Sequence, residues 1–170
     1  MTLIVSPASR AAHLIAHRRP RHILTLVSPE TILPYTSDAV APARHLVLRF
    51  NDISVPSPGL HAPDSAVVTT LLGFGQDWNG RDPFLIHCWA GISRSTAAAY
   101  ILICARAPAG REQSIATALR HASPTATPNP LMVRLADDIL SRGGAMTKAI
   151  EKIGRGQEAA EGLPFDFPCG

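Results

Sequence analysis

The sequence predicts an α/β fold in which helices flank a central, mostly parallel sheet. Two patterns indicate this. Short apolar runs, typical of buried parallel strands, alternate with amphipathic stretches over the first half of the chain. After residue 95 the apolar residues recur at three- and four-residue spacing, as in helices packed on a core. With 170 residues, 46% of them hydrophobic and 17% charged, the chain is long enough to form one globular domain.

The first half of the chain begins as strand, helix and strand. The pattern predicts a strand over 3–6, a helix over 9–17 with Ser9 as its N-cap, and strands over 22–27 and 45–50. Residues 28–44 contain three prolines and no periodicity. We therefore expect a surface excursion between the second and third strands.

An irregular loop is predicted over 51–63, which is rich in Pro, Ser and Gly. Asp64 is placed to cap a helix over 65–76. The apolar run 83–87 then predicts another buried strand, followed by a loop that leads into a helix. Such a loop sits at a helix N-terminus, where unpaired backbone N–H groups and the helix dipole favour an anion.

The second half of the chain is predicted to be helical, with helices over 95–106, 111–121 and 130–142. Cys104 falls inside the first of them, and we interpret it as a small buried apolar residue rather than a reactive thiol. The main domain is expected to cover residues 1–143. Residues 144–170 are expected to form a tail that is partly mobile and contains one helical stretch over 146–153.

Composition excludes several classes of partner. The formal net charge is +3, but the basic residues are scattered and aromatic residues make up only 5%, so we expect no nucleic-acid binding. No apolar run approaches the roughly 20 residues of a membrane span, so we expect no membrane association. Three cysteines without paired spacing (Cys88, Cys104 and Cys169) favour a reducing compartment, and we expect a cytoplasmic protein. The oligomeric state is not predicted.

The segment from His87 to Ser95 contains the residues that we predict to react with and bind an anionic substrate. Cys88 is followed six positions later by Arg94, with Gly91 between them. A loop of this length can curl so that successive N–H groups form a concave nest for phosphate oxygens, and a glycine permits the positive φ that such a curl needs. Arg94 would complete the nest with a planar guanidinium. Because the helix N-terminus and the guanidinium both favour a thiolate over a thiol, Cys88 is predicted to be a nucleophile.

The neighbours of Cys88 and Arg94 have predicted supporting roles. Ser95 either donates its hydroxyl to the sulfur or simply caps the helix, and the two roles are compatible. His87 is expected to be hydrogen-bonded beneath the loop, where it helps to tune the cysteine. Trp89 and Ile92 are expected on the outer wall of the loop, where they either pack or touch the substrate. The remaining loop residues, Ala90 and Ser93, supply backbone groups.

Cleavage of a phosphate ester also requires an acid that protonates the leaving oxygen. Four upstream aspartates are candidates: Asp52, Asp64, Asp77 and Asp82. Asp52 follows a predicted strand and opens the irregular loop, where a mobile acid is expected. Asp64 fits a helix cap better, but it stays open as the alternative general acid.

His-Cys-x-x-Gly-x-x-Arg-Ser after an apolar strand resembles the signature of cysteine-dependent protein tyrosine phosphatases, and its setting is similar to that of the small dual-specificity branch. The resemblance covers roughly residues 24–140. It implies a phosphatase-like fold in which Cys88 is the nucleophile, Trp89 to Arg94 bind phosphate, Ser95 assists release of phosphocysteine and Asp52 is the general acid. Pro128 and Asn129, followed by two leucines, also resemble a segment that these phosphatases carry, so we assign Asn129 a supporting role.

The resemblance implies hydrolysis of phosphate monoesters through a phosphocysteine, acting on a phosphorylated protein or a small phosphate ester without metal or cofactor. No His/Cys/Asp cluster has metal-ligand spacing. The loop lacks the lysines typical of the phosphoinositide and inositol-phosphate branches, so a polyphosphate substrate is less expected. The alternatives are an arsenate reductase or a sulfurtransferase with the same anion loop, and a non-catalytic pseudophosphatase that binds a phosphorylated partner. The sequence does not separate phosphotyrosine from phosphoserine, phosphothreonine or non-protein substrates.

Overall fold

A computed structural model describes residues 2–33 and 35–168. Cys169 therefore lies outside the described residues. The element boundaries are, in chain order, β1 (Thr2–Pro7), α1 (Ala8–Arg18), β2 (His22–Val27), α2 (Ser37–Val40), β3 (Arg44–Arg49), α3 (Ser65–Gln76), β4 (Phe84–Cys88), α4 (Arg94–Arg106), α5 (Glu112–Ala122), α6 (Pro130–Ile139), α7 (Ala145–Ile153) and β5 (Phe165–Pro168).

The described strands form one five-stranded sheet in the order β3-β2-β4-β1-β5. The first four strands are parallel to one another, and β5 pairs with β1 in antiparallel orientation. The predicted α/β fold with a mostly parallel, helix-flanked sheet is confirmed. Because the parallel strands end at the same edge, the segments that follow β2, β3 and β4 meet there, which is where α/β sheets bind their ligands.

Helices cover both faces of the sheet. The larger core lies between the sheet and α3 to α7, and it is built around fully buried residues of α4, among them Tyr100 and Ile101. The smaller core lies on the other face, where Ile15 of α1 and Val40 at the end of α2 cover the apolar side chains of the strands. Consecutive side chains of a strand alternate between these two faces. Cys88 therefore faces the larger core, while His87 faces the α1 side.

Several predicted elements differ from the structure. Ser9 is not the N-cap of α1, because the helix begins at Ala8 and Pro7 occupies the cap position. Ser9 instead donates a hydrogen bond from its hydroxyl to the carboxylate of Glu161, at 2.9 Å. The segment 28–44 is not only a surface excursion, since it contains the short helix α2 and the buried side chain of Val40. Helix α6 ends at Ile139, three residues earlier than predicted.

The last described residues pack closely on the rest of the chain. The predicted helix over 146–153 is confirmed as α7, which packs on α5 and α6. Strand β5 was not predicted. It pairs with β1 at the edge of the sheet, with Val5 opposite Phe165. Between α7 and β5, residues 154–164 pass the carboxyl ends of the parallel strands, where Cys88 lies. Within the described residues, no helix is both long enough and apolar enough to cross a membrane.

Candidate active site

The loop between β4 and α4 turns its carbonyl oxygens away from the site. The oxygens of Trp89, Ala90, Ile92 and Ser93 each accept a hydrogen bond from a neighbouring segment, and the donors are, in that order, the backbone amides of Ala8, Gly162, Thr127 and Ala97. In a planar trans peptide the N–H points opposite to the C=O. The N–H groups that follow these carbonyls therefore point toward the inside of the loop, an arrangement that could bind an anion.

Gly91 is required by the shape of the loop. Its φ is +70°, in the region that glycine adopts at little cost, as the sequence predicts. A Cβ at this position would lie 2.6 Å from the backbone nitrogen of Pro7 and 2.9 Å from the carbonyl carbon of Ser6. Any side chain would therefore push the loop off the end of β1, and the nest would open.

Cys88 lies at the bottom of the loop, buried with 2% of its surface exposed. Its Sγ is 3.1 Å from the Oγ of Ser95. Ser95 is not a helix cap, because α4 begins at Arg94 and Ser93 occupies the cap position. Of the two roles open for Ser95, the geometry therefore favours donation of its hydroxyl to the sulfur.

The guanidinium of Arg94 is buried and fixed on one side only. Its Nη1 donates to the carbonyl oxygen of Phe50 at 2.9 Å and lies 3.4 Å from the hydroxyl oxygen of Ser28. Its Nε is buried and has no hydrogen-bond partner among the described residues. A buried, unpaired donor on a permanent cation is costly. An anion in the loop would supply the missing acceptor, which is compatible with the phosphate-binding role expected of Arg94.

The loop and several residues around it line a cavity of about 420 Å³. Its wall includes Cys88, Trp89, Arg94 and Asp52, together with residues of the segment after β2 and residues 159 and 160 from the C-terminal part of the chain. Trp89 is 68% exposed. Trp89 and Ile92 therefore lie on the outer wall of the loop, as predicted.

Asp52 is held at the mouth of this cavity by two neutral donors. Its Oδ1 accepts hydrogen bonds from the hydroxyl of Ser93 at 2.7 Å and from Nδ2 of Asn129 at 2.8 Å. Its Oδ2 is 3.8 Å from Nε of Arg94, longer than a hydrogen bond. The carboxylate is one third exposed, so it reaches both the cavity and solvent.

The structure places the other aspartates elsewhere. The carboxylate of Asp64 accepts a hydrogen bond from the backbone amide of Val67 at 2.9 Å, as the predicted N-cap of α3. Asp77 forms an ion pair with Arg44 at 2.8 Å, at the start of β3 and thus at the opposite end of the sheet. Asp82 accepts a hydrogen bond from the side chain of Asn79. Of the four candidates, only Asp52 lines the cavity that holds Cys88.

Comparison with solved structures identifies the architecture. The chain is similar to the crystal structure of DUSP15 (19% identity, TM-score 0.60, 89% of this chain and 92% of that one) and to PTPMT1 in complex with PI(5)P (15%, 0.61, 90% and 95%). The Yvh1 phosphatase domain from Chaetomium thermophilum is also similar (20%, 0.58, 85% and 93%). The chain has the fold of the dual-specificity phosphatases. No protein-family model and no curated protein matches its sequence.

In this phosphatase fold His87 lies beneath the catalytic loop and does not face the cavity. Its Nε2 is 2.8 Å from the hydroxyl oxygen of Thr25 and 2.6 Å from that of Tyr35, and the ring is fully buried. Burial, and to a smaller extent the nearby ring of His45, lowers the pKa of His87 to about 3. The expected hydrogen-bonded position of His87 beneath the loop is observed, and its influence on the cysteine stays a prediction.

Cys104, the other described cysteine, is fully enclosed in α4. Burial raises the pKa of its thiol to about 12. The interpretation of Cys104 as a small buried residue is confirmed. The described residues contain no group of three or more His, Cys, Asp or Glu side chains arranged to hold a metal ion.

Three contacts around the site were not predicted from the sequence. Ser93 was predicted to supply only backbone groups, yet its hydroxyl holds Asp52. Asn129 was singled out only through a family resemblance, and its contact with Asp52 joins residues 77 positions apart. Tyr35, which supports His87, lies in a segment that we expected to be an irregular excursion.

Proposed function

We propose that the protein is a cysteine-dependent phosphatase that hydrolyses phosphate monoesters of proteins, either as a tyrosine or as a dual-specificity phosphatase. One observation carries the proposal. The sulfur of Cys88 lies 3.1 Å from a serine hydroxyl at the bottom of a cavity whose rim holds a buried, unpaired arginine N–H and a hydrogen-bonded carboxylate. The phosphatase fold of the neighbours supports the same reaction class.

In the first step the thiolate of Cys88 attacks phosphorus. The S–P bond forms as the ester P–O bond breaks, and Asp52 transfers its proton to the leaving oxygen. The amides of the loop and the guanidinium of Arg94 stabilise the charge on the equatorial oxygens of the transferred group. They supply the positive charge that metal ions supply in many other phosphoryl-transfer enzymes.

In the second step a water molecule attacks the phosphocysteine. The new P–O bond forms as the S–P bond breaks, and Asp52, now a carboxylate, accepts the proton of the water. The hydroxyl of Ser95 stabilises the departing thiolate through a hydrogen bond, which explains why it lies against the sulfur rather than at the helix cap. Inorganic phosphate then leaves, and the enzyme is restored.

A test of the reaction class uses p-nitrophenyl phosphate in the presence of EDTA. We expect turnover with a bell-shaped pH profile and inhibition by vanadate, which mimics the transferred phosphoryl group. Cys88→Ser should abolish turnover and retain binding of inorganic phosphate, because the loop and Arg94 are unchanged. Full activity of Cys88→Ser would show that the nucleophile is assigned wrongly.

A further inference from the structure

Residues 155–162, which we call the C-terminal strap, run directly across the catalytic loop. At one end the amide of Gln157 donates to the carbonyl oxygen of Pro124 at 2.9 Å. At the other end the amide of Gly162 donates to the carbonyl oxygen of Ala90 at 2.8 Å. The strap is therefore hydrogen-bonded to the phosphate-binding loop itself.

The strap lies so close to its neighbours that one of its positions requires glycine and a second accepts a side chain only if a neighbour shifts. A Cβ on Gly156 would lie 2.5 Å from Nη1 of Arg120 and 2.6 Å from the carbonyl carbon of Thr125. A Cβ on Gly162 would lie 3.1 Å from the carbonyl oxygen of Gly91. The strap therefore approaches the rim of the active site closely at both of its ends, while residues 157–161 between them are exposed.

The middle of the strap lines two adjoining cavities. Ala159 and Ala160 line the catalytic cavity, and Ala159 also lines a second cavity of about 310 Å³. The two cavities share Asp52, Ile92 and Ser93 as well. They are thus two parts of one groove that continues from the phosphate site past the general acid.

The second cavity is polar. Its wall includes the side chains of Ser54, Thr127, Asn129 and Gln157, and an exposed ion pair between Arg155 and Glu158 at 3.5 Å. Donors, acceptors and charges of both signs suit a polypeptide chain, whose main chain carries one donor and one acceptor per residue.

We propose that the C-terminal strap is a specificity-determining wall, against which the polypeptide next to the phosphorylated residue binds. The proposal rests on the proposed phosphatase function and adds to it the element that selects the substrate. The small side chains at 159 and 160 leave the groove open. A larger side chain at 159 should narrow it where the peptide leaves the phosphate site.

The experiment compares Ala159→Leu with Ala109→Leu, a matched control because Ala109 is exposed in the turn between α4 and α5. For each variant kcat/KM is measured with p-nitrophenyl phosphate and with a phosphotyrosyl peptide. We expect Ala159→Leu to lower the ratio of peptide to small-substrate kcat/KM about tenfold, through KM, because it obstructs binding of the chain and not the phosphate. The control should keep the wild-type ratio.

A second pair of variants moves the strap without filling the groove. Gly156→Ala should displace it and change the same ratio, whereas Gly73→Ala should not, because a Cβ at position 73 meets no atom within 4 Å. Equal ratios in the wild type, Ala159→Leu and Gly156→Ala would overturn the strap proposal and leave the phosphatase proposal intact. A wild-type protein that hydrolyses neither substrate would overturn the phosphatase proposal, and the strap proposal with it.

Discussion

The side chain of Asn129 joins the first turn of α6 to the carboxylate of Asp52. Its Oδ1 accepts hydrogen bonds from the amides of Leu131 and Met132, at 3.0 and 3.1 Å, and its Nδ2 donates to Asp52 at 2.8 Å. The residue is buried, with 2% of its surface exposed. One amide group thus caps a helix and fixes the orientation of the proposed general acid, which links the position of the acid to the packing of α6.

This double role predicts a separable effect for two substitutions. In Asn129→Ser the serine hydroxyl can still cap α6, but the side-chain amide that donates to Asp52 is lost. We therefore expect a lower kcat with little loss of thermal stability. Asn129→Asp also keeps the cap, and it places a second carboxylate beside the first, which makes ionisation of Asp52 more costly. The basic limb of the kcat profile should then move to higher pH. An unchanged profile in Asn129→Asp would contradict the positioning role.

The general-acid role of Asp52 can be tested by varying the leaving group of the substrate. We expect Asp52→Ala to slow hydrolysis of aryl phosphates with poor leaving groups by about 10²- to 10⁴-fold, the usual contribution of a general acid. Esters of acidic phenols leave without protonation, so their turnover should fall far less. The slope of log kcat/KM against leaving-group pKa measures the effect. Equal loss across the series would disqualify Asp52, and the matched variant Asp64→Asn, which removes a carboxylate but can still cap α3, should leave the slope as in the wild type.

Ser95 is expected to act on the second chemical step. A hydrogen bond to a charged group is worth about 1.5–3 kcal/mol, so loss of the hydroxyl should slow breakdown of the phosphocysteine by about one to two orders of magnitude. Formation of the intermediate should change less. Stopped-flow measurement of Ser95→Ala with p-nitrophenyl phosphate should therefore show a burst of nitrophenol followed by slow turnover. A slow reaction without a burst would assign Ser95 to the first step instead.

Buried histidines predict loss of stability in acid. Burial lowers the pKa of His22, His45 and His87 below the ordinary value of 6.5, for His87 to about 3. The unfolded chain then binds more protons than the folded one, so stability is constant above about pH 6.5 and falls as the pH drops below it. The slope is about 1.4 kcal/mol per pH unit for each histidine that gains a proton on unfolding.

Chemical denaturation at several pH values between 7 and about 4 measures this slope. His22→Phe should reduce it, because both ring nitrogens of His22 are buried without a hydrogen-bond partner among the described residues and the ring packs on Phe84. His121→Gln is the matched control, since its ring is exposed. A free energy of unfolding that does not change between pH 6.5 and pH 4 would contradict the account.

The elements with local signals were predicted from the sequence. Apolar runs placed β2 and β4, Asp64 marked the start of α3, and the loop from Cys88 to Arg94 indicated its own chemistry. The elements without such signals depend on contacts between distant residues. Strand β5 has four residues and exists because β1 offers a free edge, about 160 positions earlier in the chain. The approach of the C-terminal strap to the loop is of the same kind, because no short-range pattern encodes which segment will lie beside Ala90.

The central claim is that loop amides and Arg94 form an anion site over the sulfur of Cys88. The most direct measurement is alkylation by iodoacetamide at pH 6, followed by mass spectrometry of the cysteine-containing peptides, with buried Cys104 as the control in the same molecule. We predict rapid modification of Cys88, little of Cys104, and protection of Cys88 by inorganic phosphate that is lost in Arg94→Met. Modification of Cys88 only at alkaline pH, with no protection by phosphate, would contradict the account.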